Sequence, residues 1–245
     1  MKYIGIFIFL LLPFCTMAQE KPRVVASTSW TAAYVRAAGV SNVVQLAPSM
    51  MEHPSEYELQ IGDMEKIKKA DLIVYAGYET VISQIQQSLK IDPSKFIKIE
   101  TSYVESQIRS EVMKIAEKAN TVKAAQLSLD LIHRSYGEAK MDIEKNGLKD
   151  KPVIVHFFQS GFAKEVGLKP VAVFGPSPLE SYDLSKLLKS EAVMIIDNRH
   201  NPIAQPLSEM KKGVKTVELL NFPGMGGTQS IEDVIRFNTQ KLIGK

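Results

Sequence analysis

Four histidines carry most of the chemistry this chain can offer: His53, His133, His156 and His200. A neutral imidazole nitrogen is a good ligand for a divalent transition metal, and zinc takes four nitrogen, oxygen or sulfur donors in a tetrahedron. Thiolate sulfur has only one source, Cys15. Three of the histidines stand at or just beyond apolar runs that read as strands. His53 follows Val43–Leu46, His156 ends Val153–His156, and His200 follows Val193–Asp197. In open α/β folds the carboxyl ends of strands face the ligand crevice, so donors on three such ends can converge. Each histidine also has a plainer reading. His53 and His200 read equally as solvent-facing loop residues, and His156 as a core histidine bonded to main chain. His133 lies within a helical stretch beside Arg134 and is set aside as a surface or core residue. Asp197 and Asn198 share the turn of His200, and Asp197 is a further oxygen donor.

Loops of this kind need sheets to hold them. Val24–Ser27, Val43–Leu46, Leu72–Ala76 and Ile97–Glu100 read as short strands. Helical stretches fall between them: Trp30–Ala38, a helix opened by the capping pattern Ser55-x-x-Glu58, a continuation after Asp63 to Ala70, and Val81–Leu89. The alternation resumes with strands Val153–His156, Val171–Phe174, Val193–Asp197 and Thr216–Leu220. Their helices are Ser160–Val166, Ser181–Ser190, Pro206–Lys212 and Ile231–Ile243. Strands alternating with helices mean βαβ units and parallel pairing.

Between the two series, Val104 to Asn146 contains no proline and a single glycine, Gly137. Its apolar residues, among them Val112, Ile115, Ala125, Leu129, Ile132 and Tyr136, recur at helical spacing, which predicts one long helix bridging two lobes. The expected fold class is α/β, with two βα lobes of mainly parallel sheet joined by one long backbone helix. The expected segments are a signal peptide over 1–18, an N-terminal lobe over 19–103, the bridging helix over 104–147 and a C-terminal lobe over 148–245.

With 245 residues and 45% hydrophobic content the chain is long enough for a sizeable core. A formal charge of +3, without a basic cluster interleaved with aromatics, gives no footprint for nucleic-acid binding. Met1-Lys2 followed by the apolar run Ile4–Phe14 and the small-residue stretch Thr16-Met17-Ala18 reads as an export leader cut before Gln19. A retained anchor is the alternative, and Cys15 raises a lipid anchor, although Pro13-Phe14 fits that poorly. A chain cut after Ala18 has no thiol, hence neither a disulfide nor a thiolate ligand.

The stretch His53–Glu79, HPSEYELQIGDMEKIKKADLIVYAGYE, resembles the first ligand segment of the zinc/manganese substrate-binding proteins of ABC transporters, the ZnuA/TroA-like family. The stretch Val153–Leu168, VIVHFFQSGFAKEVGL, resembles the segment that carries a ligand from the second lobe. The resemblance implies two lobes on a backbone helix and a monomeric periplasmic or otherwise extracytoplasmic receptor. It also implies a divalent cargo, Zn2+ first and Mn2+ or another transition metal next, and delivery to a membrane permease. His53 and His156 would be ligands by that likeness. His200 has no counterpart ligand in the family and enters on its own position.

Departures from the family pattern accompany the likeness. Where the family carries a second histidine, this chain reads Ile99-Glu100-Thr101-Ser102-Tyr103. Where the family ends its last strand on an aspartate, this chain has Asn221-Phe222-Pro223. The fourth donor therefore stays open among Glu100, Tyr103, Asp197, Asn221 and water. Two rivals follow. One is a receptor on the same scaffold for haem, cobalamin or a siderophore, with Met50, Met51, Phe157 and Phe158 as cleft wall. The other is a zinc hydrolase with Glu56 as base, although neither H-E-x-x-H nor a nucleophile elbow is present. The glycine-rich Phe222–Thr228 lacks the lysine of a phosphate-binding P-loop.

Overall fold

The computed structural model of the protein describes residues 21–245, so the leader expected over 1–18, with Cys15, lies outside them. Strands β1 (Arg23–Ala26), β2 (Asn42–Gln45), β3 (Leu72–Tyr75) and β4 (Phe96–Lys98) form a parallel sheet in the order β2-β1-β3-β4. Strands β5 (Pro152–His156), β6 (Lys169–Phe174), β7 (Met194–Asn198) and β8 (Lys215–Leu219) repeat that order as β6-β5-β7-β8, again parallel. The inner strands β1, β3, β5 and β7 are near-continuous apolar runs because helices cover both of their faces. The fold is α/β with two lobes.

Helices α1 (Ser29–Ala37), α2 (Ile61–Lys68) and α3 (Thr80–Ser88) belong to the first sheet, and α4 (Glu105–Ala119) and α5 (Val122–Lys145) follow it. Helices α6 (Ser160–Glu165), α7 (Ser181–Leu188), α8 (Gln205–Met210) and α9 (Ile231–Ile243) belong to the second. Helix α1 starts at Thr28, whose hydroxyl accepts from the Thr31 amide while the Thr31 hydroxyl accepts from the Thr28 amide. That capping box satisfies two of the donors a helix leaves unpaired at its start.

Two sequence expectations need correction. The single helix expected over 104–147 is two helices, α4 and α5, broken at Asn120, which takes a left-handed conformation (φ 57°, ψ 40°). Asparagine tolerates that conformation better than other non-glycine residues. The next residue, Thr121, donates its hydroxyl to the Ala38 carbonyl, tying the break to the end of α1. No proline or glycine marks the spot. The helix expected from Ser55-x-x-Glu58 is only a short 3-10 turn, Pro54–Glu56; α2 starts later, where Asp63 accepts the Gln60 amide at 3.1 Å. The Tyr57 hydroxyl, at 2.6 Å, and Lys66, at 2.8 Å, fill the rest of that carboxylate, which makes Asp63 the real anchor of the helix start.

The lobes share one core. Ala125, Leu129, Ile132, Tyr136, Ala139 and Ile143 form the buried stripe of α5, and they join a continuous apolar cluster running from Val24 on β1 to Leu242 on α9. At the cleft, Trp30 of α1 stacks on Tyr103 (ring centroids 5.4 Å apart) and meets Phe222 beyond β8 edge to face at 5.3 Å. Aromatic pairs of this geometry add roughly 0.5–1.5 kcal/mol each beyond their burial. These contacts fix the floor between the lobes.

Candidate metal centre

Six strand ends meet at one cavity of about 430 Å3. Trp30 follows β1, His53 follows β2, Tyr78 follows β3 and Phe158 follows β5. Asn198 ends β7 with His200 just beyond, and Asn221 and Phe222 follow β8. The edge strands β4 and β6 contribute nothing to this wall. A parallel sheet delivers all its loops from one strand end to one side, and the reversal of strand order around β1 and β5 opens a crevice there.

His200 is the centre of this wall. Only 7% of it is exposed, and neither ring nitrogen has a hydrogen-bond partner. Its ring lies 5.0 Å from that of Phe222. Burial lowers its pKa from 6.5 to about 4; the Asn221 side chain beside the ring, outside hydrogen-bonding geometry, opposes the shift, and the charges of Arg199 and His53 add to it. The imidazole is thus neutral at pH 7, the form that ligates metals. Beside it, Oδ1 of Asn221 is buried and unpartnered, and so is Nδ2 of Asn198, whose Oδ1 accepts from Gln159 at 2.8 Å. Buried polar side-chain atoms rarely lack partners. Their concentration around one cavity makes it the candidate site.

His53 lines the same cavity from the opposite lobe, on the exposed loop residue before the Pro54–Glu56 turn. His156 is placed differently. It is fully buried at the end of β5, and its Nδ1 accepts the Phe158 amide at 3.1 Å, which leaves the proton of the neutral ring on an unpartnered Nε2. Burial lowers its pKa to about 4 as well. The ring sits between those of Phe158 (5.2 Å) and Phe174 (5.4 Å), against Gly175, where an added Cβ would come within 2.8 Å of Nε2. His53 and His200 therefore share a cavity, while His156 stands apart from its wall. Among the described residues no group of three His, Cys, Asp or Glu side chains converges closely enough to hold a metal ion as arranged. His133 is an exposed helix residue, 2.7 Å from Glu105.

The open question of a fourth donor narrows on geometry. The Asp197 carboxylate is consumed by the main-chain amides of Asn198 (2.8 Å), Ala204 (2.9 Å) and Ile203 (3.4 Å), so it shapes the turn that carries His200. Tyr103 is buried and donates its hydroxyl to the Asn221 carbonyl at 3.2 Å. Glu100 accepts from Gln107 at 2.6 Å outside this cavity. Asn221 is the one whose oxygen remains free. Sequence reasoning missed Trp30 and Tyr78 as cavity wall, since an aromatic at a strand end looks like any core residue. It also missed Glu79, a buried carboxylate that accepts the Ser27 hydroxyl and the Ala76 and Gly77 amides and so fixes the loop bearing Tyr78.

No protein-family profile and no curated protein sequence matches the chain. Solved structures do match its fold. A Mn-bound periplasmic metal-binding protein from Candidatus Liberibacter asiaticus is 16% identical, with a TM-score of 0.67 over 91% of this chain and 99% of that one. The laminin-binding protein Lmb of Streptococcus agalactiae, described as a bifunctional protein with adhesin and metal-transporting activity, is 19% identical, with a TM-score of 0.68 over 91% and 98%. The SBP FpvC of Pseudomonas aeruginosa, in complex with Ni2+, is 17% identical, with a TM-score of 0.69 over 92% and 96%. The chain has the fold of these binding proteins over nearly their whole length.

Proposed function

We propose that the protein is an extracytoplasmic receptor that captures a divalent transition-metal ion, Zn2+ first among them, in the cleft between its lobes for an ABC importer. His200 carries this reading: a buried imidazole, neutral at pH 7, with both nitrogens free, facing a cavity that also holds His53 and the free Oδ1 of Asn221. Proteins of the same fold are described with Mn2+ and Ni2+ bound, which supports a metal as cargo. His200, His53 and Asn221 supply two nitrogens and an oxygen from the two lobes. His156 supplies the next nitrogen when the Phe158 amide moves off its Nδ1, which frees that lone pair for the ion. A nitrogen-rich set without a carboxylate favours Zn2+ or Ni2+ over Mn2+, which prefers oxygen.

On this reading residues 1–18 are an export leader, the mature protein starts at Gln19 and works as a monomer, and it hands its ion to a membrane permease without doing chemistry on it. Zinc titration of the chain from Gln19 onward, in parallel with His53→Ala, His156→Ala and His200→Ala, tests the ligand roles. Saturable binding in the parent, lost in His200→Ala, supports the reading; parent-like titration of all three variants overturns it.

A second reading has its own observation. The cavity is larger than a bare ion needs, and Trp30, Tyr78, Phe158 and Phe222 give it apolar walls. A metal carried inside an organic chelate, as in haem, cobalamin or a siderophore complex, would use those rings. Such a cargo binds with little loss in His53→Ala, whereas a free ion does not.

A further inference from the structure

A second, smaller pocket of about 210 Å3 lies beside the metal cavity, between α1 and the glycine-rich segment beyond β8. Ser29 and Arg36 of α1, with Gln45 and Ser49 around the end of β2, form one wall; Gly224, Gly227, Thr228 and Gln229 form part of the other. No carboxylate lines it. We propose that this pocket binds a small oxyanion, a phosphate or carboxylate group, which bridges the two lobes next to the cleft.

The donors make the case. Arg36, exposed at the rim of the pocket, brings a guanidinium that meets no acidic partner among the described residues. Arginine forks match the oxygens of carboxylates and phosphates. Ser29 is 3% exposed, and its hydroxyl has no hydrogen-bond partner. The Ser49 hydroxyl oxygen accepts from Gln45 at 2.9 Å, which leaves its own hydrogen to give. The nearby carboxylate that could compete, Asp233, already accepts the amides of Gln229 and Ser230 and pairs with Arg236 at 3.0 Å. A buried, unpaired hydroxyl and an uncompensated cation around a pocket without acids are matched by an anion.

The fold holds the pocket shut at its base. Gly224 has φ 130°, and a Cβ there would lie 2.4 Å from the Ser49 carbonyl oxygen, so only glycine lets this segment press against the first lobe. The Thr228 hydroxyl accepts the Gly224 amide and donates to the Met225 carbonyl, which fixes the segment's shape. Because Ser29 adjoins Trp30 and Pro223 adjoins Phe222, an anion here braces the pair of rings that forms the cleft floor.

The test uses the chain from Gln19 onward, stripped with EDTA, so that failure of metal binding does not decide it. Inorganic phosphate, sulfate and acetate are titrated separately by calorimetry, with chloride as the control for ionic strength. The expected result is saturable binding of at least one oxyanion, weakened tenfold or more in Arg36→Gln, with circular dichroism confirming that the variant folds. Preference for phosphate and sulfate points to a tetrahedral ligand, and preference for acetate to a carboxylate; either supports the site. Should Arg36→Gln fold poorly, Ser29→Ala replaces it, with a threefold or greater loss expected. No saturable binding of any of the three ions, or variants that bind like the parent, overturns the proposal.

Discussion

Tyr103 and Asn221 are 118 positions apart, yet the phenol of the first donates to the main-chain carbonyl of the second at 3.2 Å. The bond holds Asn221 by its backbone and leaves its side-chain oxygen free beside His200. Removing the hydroxyl in Tyr103→Phe leaves a buried carbonyl unpaired. The expected cost is about 1–2 kcal/mol of stability, read by chemical denaturation, with a weaker zinc affinity from a less firmly placed Asn221. Unchanged stability and affinity would show that this bond does not hold the site.

Asn221→Asp is predicted to tighten metal binding tenfold or more, because an ionised carboxylate is a far better zinc ligand than a neutral amide. Competitive titration against a chelator of known affinity measures the gain. A variant that binds zinc no better than the parent removes Asn221 from the coordination sphere.

Much of this arrangement is legible in the sequence, and the remainder has physical reasons for being hidden. The apolar runs around Val24, Leu72, Val153 and Met194 are inner parallel strands, and a helix between each pair leaves little choice but two parallel sheets. The break at Asn120 is masked because the apolar period runs through it; the asparagine permits the left-handed stop, and packing on Ala38 fixes it. Ser55 and Glu58 fit a capping pattern that Gln60 and Asp63 fulfil instead, since Pro54–Glu56 closes as a 3-10 turn and the chain is again extended at Tyr57. At the site, His53 and His200 stand at strand ends readable from the sequence. That Asp197 would be spent on three amides, while Asn221 keeps a free oxygen, depends on hydrogen bonds that no spacing encodes.

Acid sensitivity follows from the two buried rings. His156 and His200 have pKa values of about 4 when folded against an ordinary 6.5, so between those values the unfolded chain binds more protons than the native one. The metal-free protein should therefore gain stability as pH rises from about 4 to about 6.5, on the order of 3 kcal/mol for each ring. The contribution is flat above and below that window. Denaturation midpoints across this range should show a shallower slope for His156→Leu than for the parent; parallel slopes would contradict the assignment.

Trp30, the only tryptophan, is a built-in reporter because it lines the cavity and packs on Tyr103 and Phe222. Its emission should shift as the cleft fills and return when a chelator removes the ion. His133→Ala, which removes only an exposed contact with Glu105, should leave that titration unchanged and cost at most about 1 kcal/mol of stability.

The most direct measurement is elemental analysis of the untagged chain from Gln19 onward, followed by calorimetric titration with Zn2+, Ni2+ and Mn2+ on the parent and on His200→Ala. The account predicts roughly one metal ion per chain, Zn2+ or Ni2+ bound more tightly than Mn2+, and loss of binding in the variant. Absence of bound metal together with absence of heat for all three ions, or a His200→Ala chain that titrates like the parent, would contradict it.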